Sequence, residues 1–200
     1  MLKVWGRKTS ANVQKVMWAI GELGLACERI DIGGPFAKNR EPAYLAMNPN
    51  GLVPTLVEDD FHLWESNAIV RYLAAKFGAG TLEPANARTR ALAGQWMDWQ
   101  LTVAGPAINP VFWGLVRTPL DQRDPKAIEA GKVKTIDAMS ILNAQLMKTA
   151  YVAGDAFSCG DIPIGIVAHR FVALVPERPA MNGIERWMRS CASARPFARM

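Results

Sequence analysis

The hydrophobic period of this chain changes near residue 80, and that change limits the folds it can adopt. Before residue 80, two apolar runs, "LKVW" and "CERIDI", flank the helical repeat of "SANVQKVMWAIGELGL" and predict β-α-β. The runs "VPTLVE" and "FHLW", separated by Asp59-Asp60, predict a β-hairpin. The stretch "ESNAIVRYLAAKFG" then predicts a helix closed by Gly78. The order βαβ-ββα predicts an α/β domain whose first two strands are parallel.

Beyond the change, every apolar repeat has a helical period. We therefore predict an α/β domain at 1–79, a linker at 80–87 and an all-helical domain at 88–200. In the first long repeat of the helical domain, Pro106 and Pro110 are expected to kink or break the helix. The stretch "SCGDIPIGIVAHRFVAL" is almost entirely apolar, which predicts a buried helix with His169 as a buried structural histidine. A short closing helix is predicted at 183–196.

Composition narrows the classes of partner. Half of the residues are hydrophobic and 20% are charged, the balance of a globular protein. The net charge of +5 mildly favours anionic ligands, but no Lys/Arg block alternates with aromatics, so no nucleic acid is expected. Three cysteines without a CxxC pair fit a reducing compartment, and we expect a cytoplasmic protein. No apolar leader or membrane span is visible, and the two histidines lack metal-ligand spacing, so no membrane and no metal are expected.

Four motifs in order along the chain, "SANVQKV", "NPNGLVPTL", "ESNAIVRYL" and "GDAFSCGDIPIG", carry a family resemblance. The chain resembles the cytosolic glutathione S-transferases of the bacterial, theta-like or nu-like kind. The resemblance implies a thioredoxin-like βαβ-ββα domain followed by an all-helical domain. It also implies an enzyme that activates glutathione as a thiolate for attack on a small electrophile. Glutathione is then a cosubstrate, and neither a metal nor a tightly held cofactor is implied.

The resemblance assigns glutathione-binding roles to two of these motifs. In the family, the proline of "VP" follows a cis peptide bond, so Val53 and Pro54 are expected to pair with the cysteinyl part of glutathione like an added strand. From local sequence alone, Pro54 could simply begin an edge strand. Ser66, at a helix start, is expected to bind the γ-glutamyl carboxylate, and Glu65 to balance the amino group. The alternative is that both are only helix-start residues.

The motif "TSANVQK" holds the candidate thiol-activating groups. Theta-like relatives use a serine here, and nu-like ones use a threonine with an asparagine two residues on. Ser10 matches the hydroxyl position and Asn12 the amide, although Thr9 could take either role and Ser10 could be an ordinary N-cap. The segment has no tyrosine, which argues against the tyrosine-using classes. It has no cysteine, which argues against omega-like and beta-like disulfide chemistry.

The sequence gives less support for the roles of four further candidate site residues. Lys38 and Arg40 lie where relatives bind the glycine carboxylate, but they could equally be solvated loop charges. Phe112 and Trp113 are candidates for the second-substrate pocket, with simple core packing as the alternative. The sequence does not identify the electrophile. Two other functions stay open: glutathione-dependent peroxidase, dehalogenase or disulfide reductase activity on the same fold, and a non-catalytic interaction module.

The remaining expectations concern assembly and stability. Relatives are two-fold dimers, and the corresponding interface would use 65–78 and 88–104, with Trp96, Met97 and Trp99 as apolar surface and Asp98 reaching the partner's site. In the last third, Ser158 and Asp161 have capping-box spacing at the start of a helix. Gly160 stands there in place of the alanine that is usual in relatives, and is expected to weaken the helix start.

Overall fold

The computed structural model describes residues 1–194, which form two compact units. One unit is Met1–Ala85 together with the described residues 192–194, and the other is Asn86–Cys191. The division after Ala85 lies inside the predicted linker 80–87. Residues 195–200 of the predicted helical domain, and with them the last two residues of the predicted closing helix, lie outside the described part. Within that part, none of the helices has the length and apolarity needed to cross a membrane.

The first unit has the predicted βαβ-ββα order. Its elements are β1 Leu2–Trp5, α1 Ala11–Glu22, β2 Cys27–Ile30, α2 Pro42–Leu45, β3 Thr55–Glu58, β4 Phe61–Trp64 and α3 Ser66–Phe77. A 3₁₀ turn at Gly34–Phe36 follows β2. The strands form one sheet in the order β2-β1-β3-β4, with β1 parallel to β2 and antiparallel to β3, and with β3 antiparallel to β4. The prediction of a thioredoxin-like α/β domain is confirmed.

Local chemistry explains where these elements begin and end. The predicted third strand starts at Val53, but β3 starts at Thr55, because Pro54 has no N–H to donate to a ladder. The hairpin turns through Asp59, whose φ is 55°. At the end of α1, Gly24 takes a φ of 62°, and Leu25 donates its N–H to Ile20 O over 3.1 Å.

The core of this unit lies along β1, α1 and α3. On β1, Leu2 and Val4 alternate with partly exposed residues and are buried. The buried apolar faces of α1 and α3, which contact each other, include Val13, Val16, Trp18, Ile69, Val70 and Leu73. Burial of this kind contributes about 1.5–3 kcal/mol for each large apolar side chain. The two helices that follow Ser10 and Glu65 are therefore fixed by a shared core.

The second unit is helical throughout, apart from turns and one isolated bridge. Its helices are α4 Ala87–Trp99, α5 Gly105–Phe112, α6 Pro125–Leu146, α7 Asp161–Leu174 and α8 Asn182–Ala194. A π-helical turn at Gln100–Ala104 joins α4 to α5, and a second one at Trp113–Arg117 follows α5. Pro106 and Pro110 both lie in α5 and cannot donate backbone hydrogen bonds. The helix is not broken at either proline, because helical turns continue from Ala87 to Arg117, with a wider turn on each side of α5.

The prediction for α7 is right about the helix and wrong about its histidine. Residues Asp161 to Ala168 are all buried, as expected for a helix that is apolar on every side. His169 is exposed, whereas its neighbours Ala168 and Phe171 take the inward positions at that end of the helix. His169 is exposed because of its position on the helix surface, although the surrounding stretch is apolar.

A buried hydrogen-bond network forms at the start of α7. Asp161 accepts the Ser158 N–H over 2.9 Å, which is one half of the predicted capping box. The other half differs, because the Ser158 hydroxyl donates to the Asp161 carboxylate over 3.1 Å instead of accepting the Asp161 N–H. Val152 N–H and Trp187 Nε1 donate to the second carboxylate oxygen over 3.0 and 2.9 Å. Burial raises the pKa of Asp161 to about 6, against the opposing effect of these donors.

Gly160 has a packing role at this helix start. A Cβ added there would lie 2.9 Å from both Cα and O of Ala93 in α4. Because backbone atoms cannot yield as a flexible side chain can, an alanine would push α7 away from α4. The glycine that is expected to weaken the helix start thus also allows α7 and α4 to pack closely.

Candidate active site

Ser10 lies at the turn between β1 and α1. Its N–H donates to Arg7 O over 3.1 Å, and its C=O accepts the Gln14 N–H over 2.9 Å. Ser10 has the extended backbone of an N-cap residue, with φ −82° and ψ 123°, but its hydroxyl makes no capping hydrogen bond to the described first turn of α1. The N-cap position is therefore confirmed, while the partly exposed hydroxyl is left to interact with a ligand.

Thr9 and Asn12 lie within one turn of Ser10, and both are exposed. Asn12 is the second residue of α1, where the backbone N–H groups have no intrahelical partners. The side chains of Thr9, Ser10 and Asn12, each of which can donate a hydrogen bond, thus lie together at the positive end of α1. The catalytic roles of Ser10 and Asn12 remain predictions.

Val53 lies beside this turn. The Val53–Pro54 peptide bond is cis, as the resemblance implies. A Cβ added at Gly6 would lie 2.4 Å from Val13 Cγ2 and 3.3 Å from Val53 Cβ, so the turn after β1 is in close contact with both residues. Neither the N–H nor the C=O of Val53 forms a hydrogen bond with another described residue. These two groups are placed to pair with an extended peptide.

A buried polar cluster that the sequence analysis missed holds the segment around Val53. The Tyr44 hydroxyl donates to Leu52 O over 2.6 Å and shares a 2.8 Å hydrogen bond with Thr55 Oγ1. Asn48 Nδ2 also donates to Leu52 O, over 2.9 Å. Burial raises the pKa of Tyr44, so the phenol stays neutral. The cluster fixes the chain just before and just after Val53 and Pro54; the only sequence signal for it was the asparagine of "NPNG".

Glu65 and Ser66 stand at the start of α3, as predicted. Ser66 is the first helical residue and is 3% exposed, while Glu65 is exposed and makes no side-chain cap. Glu65 has φ 69° and ψ 111°, an unusual conformation for a residue with a side chain. Such backbone conformations are costly and tend to occur at functional sites. The geometry leaves the Glu65 carboxylate outside the helix and the Ser66 hydroxyl at its positive end.

Lys15 contacts one of the predicted site residues, and the sequence analysis did not identify it. It lies on the buried face of α1, and its ammonium donates to Ser66 Oγ over 3.4 Å and to Asn67 Oδ1 over 3.2 Å. The start of α3 is thus linked by hydrogen bonds to α1, the helix that Ser10 precedes. No local pattern gives this contact, because 51 residues separate Lys15 from Ser66.

The two predicted loop cations differ in their surroundings. Arg40 donates from Nη1 to Asn50 O over 3.2 Å and lies against Gly51, so it braces the turn of "NPNG". Lys38 is exposed, on a residue with a φ of 63°. A third cation, Arg7, was not predicted; its guanidinium lies against Gly33 and Gly34. Binding of the glycine carboxylate by Lys38 or Arg40 remains a prediction.

Phe112 and Trp113 lie at the end of α5 in the helical unit. The Phe112 ring is 4.0 Å from Arg170 Cζ and 5.5 Å from Arg117 Cζ, a cation–π arrangement. Burial, and then the charge of Arg117, lower the pKa of Arg170. Trp113 is 60% exposed, which excludes the core alternative for this side chain within the unit. Among the described residues, no cluster of His, Cys, Asp and Glu could hold a metal ion.

Comparisons with known proteins agree with this geometry. Residues 1–75 match the family model described as "Glutathione S-transferase, N-terminal domain". The chain is 44% identical over 191 residues to "Glutathione S-transferase GstB" of Escherichia coli, covering 94% of this chain and 91% of the relative. It is 31% identical over 202 residues to "Glutathione S-transferase 3" of Zea mays, covering 99% of this chain and 86% of the relative. The crystal structure of a theta-class glutathione S-transferase from Xanthomonas axonopodis pv. citri with glutathione bound matches with a TM-score of 0.94 and 38% identity, covering 99% of this chain and 95% of that one.

Proposed function

The chain belongs to the glutathione S-transferase family, and we propose that it binds glutathione as a thiolate and directs it to a small electrophile. As an enzyme it is a glutathione transferase. The observation that carries this conclusion is the likeness, over 99% of the chain, to a theta-class structure with glutathione bound. The groups described above supply the chemistry without a metal or a tightly held cofactor.

The proposed binding mode follows from three places on the first unit. The γ-glutamyl carboxylate meets the Ser66 hydroxyl at the positive end of α3, and Glu65 balances the amino group. The cysteinyl residue pairs with the N–H and C=O of Val53, which no described residue uses. This places its thiol near the turn that ends at Ser10. Lys38 or Arg40 receives the glycine carboxylate.

Catalysis in this proposal is activation of the cosubstrate nucleophile. The Ser10 hydroxyl donates a hydrogen bond to the thiolate, and the start of α1 adds its dipole. The sulfur attacks the electrophile, a carbon–sulfur bond forms, and the leaving group departs with the electron pair of the bond that breaks. Phe112 and Trp113 are the residues proposed to contact the second substrate.

Two further proposals concern the state of the protein. We expect a homodimer that uses the stretch 88–104, because Leu92, Leu101 and Val103 are 44%, 44% and 39% exposed there. Asp98 is exposed on the same stretch, in keeping with a contact to the partner. A cytoplasmic location fits the three cysteines without a CxxC pair.

The function is tested by binding first and chemistry second. Purified protein should be retained on immobilised glutathione and released by free glutathione. It should then conjugate glutathione to a chloronitrobenzene faster than it reduces an organic hydroperoxide or a mixed disulfide. Retention without any of the three reactions would favour the interaction module, and a dominant hydroperoxide or disulfide reaction would favour the other enzyme classes.

A further inference from the structure

Lys15 occupies a position that is unusual for a lysine. It is 2% exposed and lies on the inward face of α1, among Val13, Val16 and Trp18. Lysine is almost never fully buried unless its ammonium has partners, because the charge loses its hydration.

Two hydrogen bonds of Lys15 lead to the start of α3. Its Nζ donates to Ser66 Oγ over 3.4 Å and to Asn67 Oδ1 over 3.2 Å. An ammonium has donors only, so the Ser66 oxygen is the acceptor in this pair. The hydrogen of the Ser66 hydroxyl must then point away from Lys15. A hydroxyl that accepts from a cation is also polarised and becomes a stronger donor.

The charge of Lys15 adds to the field of α3. Ser66 is the first residue of this 12-residue helix, where the backbone N–H groups form the positive end of the helix dipole. When the Lys15 ammonium is protonated, its charge lies next to Ser66 within the core and acts in the same direction. The two effects together favour an anion in front of Ser66 more strongly than the dipole alone.

We propose that Lys15 is a positioning residue for the γ-glutamyl carboxylate of glutathione. It orients the Ser66 hydroxyl as a donor and places a positive charge behind it, without touching the ligand. The inference rests on the proposed function and extends it to a residue on the helix that Ser10 precedes. Because the thiol is bound elsewhere on the unit, Lys15 should control glutathione affinity and leave thiol activation unchanged.

The test compares two variants with a matched control. Lys15→Met removes the charge and the donors, whereas Lys15→Gln removes the charge and keeps an N–H donor. Lys76→Met removes an exposed lysine from the last turn of α3 and serves as the control. The ligand is S-methylglutathione, which cannot form a thiolate, and its affinity is measured by calorimetry. Its analogue with 4-aminobutanoyl in place of γ-glutamyl lacks only the carboxylate in question.

We expect S-methylglutathione to bind about ten- to a hundredfold more weakly to Lys15→Met, the range for losing a hydrogen-bonded charge, and about tenfold more weakly to Lys15→Gln. The analogue should bind wild type and both variants equally. With glutathione, KM should rise while kcat and the pH profile of kcat stay unchanged. Lys76→Met should match wild type throughout.

Three results would overturn the inference. One is a folded Lys15→Met or Lys15→Gln that binds S-methylglutathione within about twofold of wild type; if the methionine variant does not fold, the glutamine variant decides. Another is an equal loss of affinity for the analogue, which would make the role of Lys15 purely structural. A wild-type protein that binds neither ligand would overturn the proposed function together with the inference.

Discussion

Ser10 is the residue on which the proposed chemistry depends most. A cysteine-type thiol has a pKa of about 8.5, so only a few per cent is thiolate at pH 7. Lowering that pKa by about two units requires about 2.7 kcal/mol of preference for the charged form. A helix dipole supplies roughly 0.3–1 kcal/mol near a surface, which is too little. A hydroxyl that makes no capping bond can supply much of the remainder.

Ser10→Ala should therefore reduce kcat/KM near pH 7 by about ten- to a hundredfold, the usual size of a charge-assisted hydrogen bond. At high pH the variant should recover much of its rate, because the thiolate then forms without help. The measurement is the pH profile of kcat/KM for Ser10→Ala, Thr9→Ala and Asn12→Ala. Ser140→Ala, an exposed serine of α6, is the control. A profile that shifts only for Asn12→Ala would assign activation to the asparagine, as in nu-like sites.

The positions of candidate site residues could be predicted where these residues lie together in the sequence. Glu65-Ser66 and Val53-Pro54 are adjacent pairs within short motifs, and the structure places them where those motifs imply. Lys15, Tyr44 and Arg7 could not be predicted in the same way. Lys15 meets Ser66 across 51 residues of sequence, and Tyr44 reaches Leu52 from a short helix after a long loop. Such contacts depend on tertiary packing, which local sequence does not specify.

The start of α7 is held by one buried polar network around Asp161. Asp161 is fully buried, and its pKa is raised to about 6 in the folded protein from about 3.9 in an unfolded chain. A raised pKa of this kind contributes stability that is complete below pH 4 and is lost as the pH rises through about 6. Donors to the carboxylate limit that loss, because they stabilise its charged form.

Ser158→Ala removes one of these donors, so its cost should depend on pH. We expect a destabilisation of about 1 kcal/mol at pH 5, where Asp161 is mostly protonated, and about 1.5–3 kcal/mol at pH 7.5, where it is ionised. Chemical denaturation at the two pH values measures this difference. Ser140→Ala, whose hydroxyl donates to a backbone carbonyl of its own helix, should show no such dependence. An equal cost at both pH values would mean that Ser158 does not act through Asp161.

At the same scale, helix and strand order follow from sequence better than helix detail does. Apolar period and turn residues predict the order of the α/β elements. They do not predict the two π-helical turns around α5, because these depend on how Pro106 and Pro110 are accommodated by neighbouring turns. They also do not predict the packing role of Gly160, because that role depends on its contact with Ala93 of α4.

At the scale of the whole molecule, the apolar surface predicted for a dimer has to be corrected. The sequence analysis counted Trp96, Met97 and Trp99 as apolar surface, but Trp96 and Met97 are 7% and 0% exposed inside their own unit. Trp99 is partly exposed and packs edge-on against Trp96, with ring centroids 5.0 Å apart. The exposed apolar residues of the same stretch are Leu92, Leu101 and Val103. The proposed interface keeps the stretch 88–104 but relies on other residues of that stretch.

Light scattering at micromolar concentration should give twice the chain mass of 21.9 kDa for wild type. The double variant Leu92→Glu, Leu101→Glu should give the mass of one chain, because burying two charges in an apolar interface is costly. Met147→Glu, which changes a 60% exposed methionine at the end of α6, should stay dimeric. A wild-type protein with the mass of one chain would contradict the proposed homodimer.

The most direct test of the central claim is the ionisation of glutathione bound to the wild-type protein. The ultraviolet absorbance of the thiolate is followed against pH with the protein in excess, and free glutathione serves as the reference. The account predicts a pKa for the bound thiol about two units below the free value of about 8.5, so that most of it is thiolate at pH 7. A bound thiol that titrates with the pKa of free glutathione would contradict the account.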